Sequence, residues 1–160
     1  VGVTKGALYA YFESREVLFR EMTLEVFTRV RSELEKAFRE SGDGPETFSR
    51  ITDLVYGDLK RYTNIFIQMV TTVPQDPELQ KIYSTTFDRN VTFIGGHISR
   101  MQKKGMIPVE VSPEETARAI LALAIGLRIT ELHLKKDPEQ LKRIWLDSVS
   151  RLLSLKEDVA

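Results

Sequence analysis

Three proline-containing helix-start signals constrain this chain more than any other feature. In each, a capping side chain stands before a proline in the first helical turn, where the fixed φ and missing N–H of proline are favourable. The signals are Asp76-Pro77, Ser112-Pro113 and Asp137-Pro138. Strand-like alternation is nearly absent, and its one candidate, residues 106–111, is interrupted by Pro108. The pattern predicts an all-α fold.

Further caps and breaks predict where the helices lie. Ser14 caps a long helix whose apolar residues run from Leu18 to Phe38 at intervals of four. The sequence SGDGP then ends it. We expect further helices over about 4–10, 45–73 (with Asn64 as a candidate bend) and 77–104, and two more from 113 and 138. The last two have a short connection, so they should lie antiparallel.

Composition excludes several classes of site. The 160 residues include no cysteine, which excludes disulfides and thiolate metal sites. The most apolar stretch carries Arg118, Arg128 and Glu131, which a membrane-spanning helix would rarely tolerate. The formal net charge is zero, so the chain has no overall electrostatic footprint for nucleic acid. Membrane insertion is therefore not expected, and any DNA binding must depend on local geometry or on residues outside this sequence.

The sequence also lacks the motifs of an enzyme. It has no Glu-x-x-His iron motif, no glycine-rich phosphate loop, no nucleophile motif and no close carboxylate–histidine set. His97 and His133 are isolated from each other and from paired carboxylates, which makes a poor metal site. We therefore predict neither catalysis nor a cofactor.

The penultimate helix is apolar around most of its circumference. Such a helix must be covered on most sides, by the core of its own chain or by a second subunit. We favour a homodimer formed by the last two helices over simple burial in a monomer. The predicted interface residues are Ala119, Leu123, Gly126, Leu127, Ile144, Trp145 and Leu152.

The opening segment, VGVTKGALYAYFESREVLF, suits contact with DNA. Its small residues near Thr4 would let a short helix approach another surface closely, and tyrosine hydroxyls can donate to phosphate oxygens. Leu8 and Phe12 lie four residues apart, on the side expected to face a core. The helix that starts after Ser14 offers free backbone amides, and Arg15 adds positive charge beside them.

This segment resembles the second half of the helix-turn-helix of the tetracycline-repressor-like (TetR) family. Arg15 stands where the family usually has lysine and keeps the charge. The matching positions are Gly2, Val3, Thr4, Leu8, Tyr9, Tyr11, Phe12, Ser14, Arg15 and Leu18. The resemblance implies the rest of a DNA-binding domain at 1–20 and a ligand-binding and dimerisation domain at 21–160. It also implies two further helices before this point, so we expect an N-terminal truncation within the helix-turn-helix.

The resemblance further implies a function. The protein would be a cytoplasmic, ligand-responsive transcriptional regulator, a repressor released from operator DNA by a small apolar or amphipathic effector. Thr4, Lys5, Gly6 and Ala7 would face base edges, and Tyr9, Tyr11 and Arg15 would hold phosphates. The alternative is a helical homodimeric adaptor or ligand-binding protein that does not bind DNA.

Two middle helices supply candidates for an effector pocket. Aromatic and methionine side chains suit an adaptable apolar cavity, although each of them also suits an ordinary core. The candidates are Tyr62, Phe66, Met69, Phe87, Phe93, His97 and Met101. His97 fits either a polar anchor in the cavity or a half-exposed surface position. Arg128 fits either a pair with Glu131 or contact with an anionic ligand.

Overall fold

Helices make up nearly all of the part of the chain that the structure describes. The computed structural model describes residues 11–42, 44, 46–134 and 137–155, and the side chains of all these except 58, 60, 70 and 132–134. Six α-helices lie in these ranges: α1 (Arg15–Ser41), α2 (Glu46–Tyr56), α3 (Thr63–Thr72), α4 (Pro77–Lys103), α5 (Pro113–Leu134) and α6 (Pro138–Leu152). Two short 3-10 segments, Asp58–Tyr62 and Val73–Gln75, flank α3. These residues contain no strand, and the predicted all-α class is confirmed.

Three of the predicted helix caps are present as side-chain hydrogen bonds. Ser14 Oγ accepts from the Val17 amide at 3.2 Å, at the start of α1. The Asp137 carboxylate accepts from the Glu139 amide at 3.1 Å, at the start of α6. Asp76 caps α4 in the same way, with proline at the first helical position. The predicted first helix, at about 4–10, lies outside the described residues.

The helix predicted over about 45–73 is wrong as a single element. Helix α2 ends at Tyr56, and the chain passes through Gly57 and a 3-10 segment before α3 begins at Thr63. Glycine is among the poorest helix formers, so a break is least costly there. The break is thus at Gly57, and Asn64 lies within the first turn of α3.

The core lies where α4 and α5 pack along each other, with α1, α2 and α6 around them. The two helices approach each other closely at Gly95. A Cβ at this position would lie 3.4 Å from the carbonyl oxygen of Pro113, the first residue of α5. The core includes Phe38, Phe48, Ile51, Leu54, Ile94, Ile98, Met101, Ala117, Ile120, Leu141, Trp145 and Val149.

The connection from α4 to α5 is irregular and is fixed by one side chain. Gly105 has a φ of 71°, the left-handed conformation that ends many helices. Gln102 Nε2 then donates to the carbonyl oxygens of Pro108 and Val111, at 2.9 and 2.7 Å. These bonds satisfy two backbone carbonyl groups in residues 106–111, the one stretch with a strand-like pattern in the sequence. Within the described ranges, none of the helices is both long and apolar enough to cross a membrane.

Candidate functional site

A cavity of about 200 Å³ lies inside the bundle and is lined by residues from all six helices. Helix α1 forms one wall with Val26, Val30, Leu34 and Phe38. These residues belong to the apolar stripe predicted from the sequence, because positions four apart lie on one face of a helix. The same stripe that anchors α1 to the bundle therefore also encloses the cavity.

A second wall comes from α4, which packs beside α1. Tyr83, Thr86, Phe87, Asn90 and Ile94 line the cavity, at intervals of three or four residues along one face. The rings of Tyr83 and Phe87 stack with centroids 6.2 Å apart. An aromatic surface of this kind favours flat or branched apolar molecules.

Three of the seven predicted ligand residues line this cavity: Tyr62, Phe66 and Phe87. Met69, 1% exposed, lies in the protein interior and does not line the cavity. Phe93, His97 and Met101 also lie off the lining. From Phe87 to Phe93 is six residues, which turns the side chain by roughly 120° away from the first face. These four predicted residues therefore do not line the cavity, and ligand contact at the three lining residues stays a prediction.

His97 is a core residue behind the cavity wall. Its ring stacks on Phe38 with centroids 3.8 Å apart and meets Phe93 edge-on at 4.7 Å. Its Nδ1 is hydrogen-bonded to the Arg100 guanidinium. His97 is 8% exposed, so it is neither a cavity anchor nor a half-exposed surface residue. Both predicted positions for His97 are wrong.

Arg128 is the charged residue among the described residues that line the cavity. Its Nη1 donates to Glu131 Oε2 at 2.5 Å, and both side chains are 8% exposed. Its guanidinium carbon lies 5.0 Å from the centre of the Tyr56 ring. Burial raises the pKa of the Tyr56 hydroxyl to about 12, and the positive charge of Arg128 opposes that rise. Arg128 thus makes the predicted pair with Glu131 while also lining the cavity.

Sequence reasoning missed most of the residues that line the cavity from α5 and α6. These are Ile120, Leu121, Ala124, Ile125 and Trp145. Their apolar character was visible, but the sequence does not show which of several buried faces borders empty space. The described residues hold no cluster of histidine, aspartate and glutamate side chains suited to a metal ion.

Only the end of the predicted DNA-contacting segment lies in the described residues. Thr4, Lys5, Gly6, Ala7 and Tyr9 lie outside them. Tyr11 is 86% exposed and Arg15 is exposed in the first turn of α1. Hydrogen bonds from its own backbone amide and from Ser14 lower the pKa of Glu16. Free backbone amides at a helix start favour negative charge beside them.

Solved structures of other proteins share this helical architecture. A Rhodococcus sp. protein assigned to the TetR-family transcriptional regulators superposes with a TM-score of 0.74 at 22% identity, covering 95% of this chain and 82% of its own. A TetR transcription regulator from Haloarcula marismortui ATCC 43049 gives 0.77 at 14% identity, with 96% and 81% covered. The chain has the TetR fold. No family model matches the sequence, and neither does any curated protein.

Within this TetR fold, the predicted dimer residues fall into three groups by burial. Trp145 is 2% exposed and lines the cavity, so its assignment to a subunit interface is wrong. It belongs to the α6 stripe with Leu141 and Val149, which faces the core. Gly126 is exposed and Ile144 is 41% exposed. The remaining predicted residues are half-buried: Ala119, Leu123, Leu127 and Leu152.

Proposed function

We propose that this chain belongs to a DNA-binding transcriptional regulator whose affinity for DNA responds to a small molecule in the bundle cavity. Two kinds of evidence support the proposal. The fold is that of chains named as TetR-family regulators, over 95% of this chain or more. Residues 1–18 also carry the pattern of a recognition helix and the start of the helix behind it.

One observation carries the ligand-responsive part of the proposal. Helix α1 begins at Arg15, the last residue of the proposed DNA-contacting segment, and its residues between Val26 and Phe38 form a cavity wall. Its 27 residues span about 40 Å. Packed interiors transmit displacement because they have few voids. A ligand that pushes on Val30 or Leu34 would therefore move the far end of the same helix.

The proposed mechanism is a shift between two populations of a homodimer. Two recognition helices fit successive major grooves when they lie about 34–36 Å apart. Ligand binding would favour a tilt of α1 that changes this spacing, with a coupling of about 1–3 kcal/mol. The protein would then act in the cytoplasm as a repressor that its effector releases from the operator.

A mobility shift with the complete gene product and DNA upstream of its own gene tests DNA binding. We expect tight, sequence-selective binding that weakens between two salt concentrations. Tyr11→Phe and Arg15→Gln should each weaken binding to all sequences, and Arg15→Gln should lower the salt slope by about one. Lys5→Ala should instead change base preference.

A matched control is Arg143→Gln, which removes an exposed arginine from α6. This variant should bind DNA like the parent protein. Equal, weak binding to operator and scrambled DNA, unaffected by Tyr11→Phe, would favour the adaptor alternative instead.

A further inference from the structure

The cavity has one charged residue among the lining residues that the structure describes. That residue is Arg128, and it is 7% exposed. The rest of the lining is apolar or aromatic, with a few neutral polar groups such as Thr86 and Asn90. A guanidinium at the edge of an apolar cavity is costly to bury, so its unsatisfied donors indicate what the cavity should hold.

The guanidinium of Arg128 has a hydrogen-bond donor that is not used within the described residues. Its Nη1 donates to Glu131, but its buried Nη2 has no hydrogen-bond partner among the described residues. Arginine has five N–H donors and no acceptor, so one carboxylate does not exhaust it. An unpaired buried donor lowers stability, and native proteins rarely leave one without a reason.

A second buried donor lines the same cavity. The indole Nε1 of Trp145 also has no partner among the described residues. Indole nitrogen can donate a hydrogen bond but cannot accept one. Two lining residues, one from α5 and one from α6, thus each carry an unpaired donor, and no acidic side chain among the described residues lines the cavity to match them. Both nitrogens are covered by protein atoms in this structure, so a ligand would reach them when the two side chains turn toward the cavity. The group that fits is one that only accepts.

We propose that the cavity binds a compact apolar carboxylic acid, with its carboxylate at Arg128 Nη2 and Trp145 Nε1 and its hydrocarbon part against the aromatic wall of α4. This inference rests on the proposed function, because it names the ligand class of the same cavity. A carboxylate accepts several bonds and carries no donor, and charge-assisted bonds are about twice as strong as neutral ones. Arg128 lines the cavity and Glu131 does not, so the positive partner of the pair is the one presented to the ligand.

The size of the cavity limits the hydrocarbon part. Its volume is about 200 Å³. A dry cavity of roughly 150 Å³ holds one benzene ring. A single substituted ring or a short branched chain therefore fits, whereas a fused polycyclic molecule does not.

The test uses a matched pair of probes, para-ethylbenzoate and para-ethylbenzamide. They share shape and hydrocarbon content and differ in charge. Trp145 is the only tryptophan in the chain, so its fluorescence reports occupancy of the cavity directly. We expect the benzoate to bind about tenfold more tightly than the benzamide, as expected for a charge-assisted bond.

Two variants test whether Arg128 causes the preference for the benzoate. Removing Arg128 alone would leave Glu131 buried without this partner, so the informative variant is Arg128→Gln with Glu131→Gln. It should bind both probes equally, at the affinity of the benzamide. The control is Arg118→Gln, an exposed arginine on the same helix, which should keep the tenfold preference.

Three results would overturn the inference: equal affinity of the parent protein for both probes, no binding of either probe, or a preference that survives in the double variant. The DNA mobility shift on the same preparation separates this outcome from failure of the proposed function. If the protein binds operator DNA but shows no benzoate preference, the carboxylate site is excluded and the proposed regulatory function is kept. If the protein prefers the benzoate but does not bind operator DNA, the carboxylate site is kept and the proposed regulatory function is excluded.

Discussion

Arg20 of α1 and Asp76 of α4 form a two-bond ion pair that joins the starts of these helices. Arg20 Nε donates to Asp76 Oδ2 at 2.9 Å, and Nη2 donates to Oδ1 at 2.8 Å. The same Oδ1 accepts from the amides of Glu78 and Leu79, each at 3.1 Å. One carboxylate therefore caps α4 and holds α1, the helix that connects the proposed DNA-contacting segment to the cavity.

We expect Asp76→Asn to lower stability at neutral pH but not in acid. The Arg20 hydrogen bonds hold the pKa of Asp76 below its ordinary value of 3.8. Because the folded-state pKa is depressed, the contribution is complete at neutral pH and begins to fade below that value. It is lost as the pH falls through the folded-state pKa. Asparagine still caps helices, so the variant mainly removes the charge.

Thermal unfolding measures the effect, and we expect the melting temperature of Asp76→Asn to lie a few degrees below that of the parent protein at neutral pH. The difference from the parent protein should narrow as the pH falls below 3.8 and the carboxyl becomes protonated. A cycle with Arg20→Met supplies the control, because residues in direct contact are non-additive. If the two single losses add in the double variant, the pair does not act as described.

The cavity should close when a larger side chain is placed in its α4 wall. Thr86 lines the cavity, whereas Thr85 beside it is exposed. Thr86→Phe should weaken binding of para-ethylbenzoate more than tenfold, because the new ring occupies the ligand's space. We expect the free energy of unfolding to change by less than about 1.5 kcal/mol, since the substitution fills a void.

Thr85→Phe is the matched control for this experiment. It adds the same ring to the same helix on a solvent-facing side, so affinity for the probe should stay unchanged. Fluorescence titration of both variants checks the pair. An equal loss of affinity in both would show that the ligand lies elsewhere.

Tyr56→Phe should leave the protein as stable as before or slightly more so. Tyr56 is 5% exposed, and its hydroxyl has no hydrogen-bond partner among the described residues. Phenylalanine keeps the ring that faces Arg128 and removes the unsatisfied hydroxyl, a gain of up to about 1 kcal/mol. Urea unfolding at neutral pH measures it, and a loss larger than that gain would contradict the absence of a partner.

The stability of Tyr56→Phe should also differ from that of the parent protein at alkaline pH. Burial raises the pKa of Tyr56 from 10.0 to about 12. A raised folded-state pKa means that the stability of the parent protein is complete below pH 10 and falls as the pH rises through 12. Tyr56→Phe lacks this group, so its advantage over the parent should grow across that interval.

The fold could be predicted from the sequence because its signals are local. Ser14, Asp76 and Asp137 each set a helix start through bonds to amides two or three residues away. The break at Gly57 was missed because a single glycine costs only about 1 kcal/mol, and tertiary packing decides whether a helix continues.

The cavity could be predicted only in part, because its lining depends on which buried face borders a void. Phe87 and Phe93 are equally apolar and share α4, yet only Phe87 lines the cavity. Residue type likewise suggested Trp145 as an interface residue, although its position four residues from Leu141 and Val149 places it on the core stripe. The unpaired donors at Arg128 and Trp145 are visible only in three dimensions.

The predicted dimer face can be tested at Gly126. This residue is exposed on α5, and a Cβ placed there meets no atom within 4 Å in the single chain. Gly126→Leu should therefore raise helix stability by roughly 0.8 kcal/mol within one subunit. If a second copy packs on this face, the added side chain separates the backbones. Sedimentation velocity should then show a shift from dimer to monomer, although the subunit itself is no less stable.

Ile144→Asp gives an independent test from α6, because Ile144 is the half-exposed apolar residue next to the buried Trp145. It should also favour the monomer, since a carboxylate in a subunit interface is costly to desolvate. Thr85→Phe, which changes an exposed residue of α4, should leave the dimer intact. A parent protein that sediments as a monomer would show the predicted dimer to be wrong. A dimer that persists in both variants would place its interface on another face.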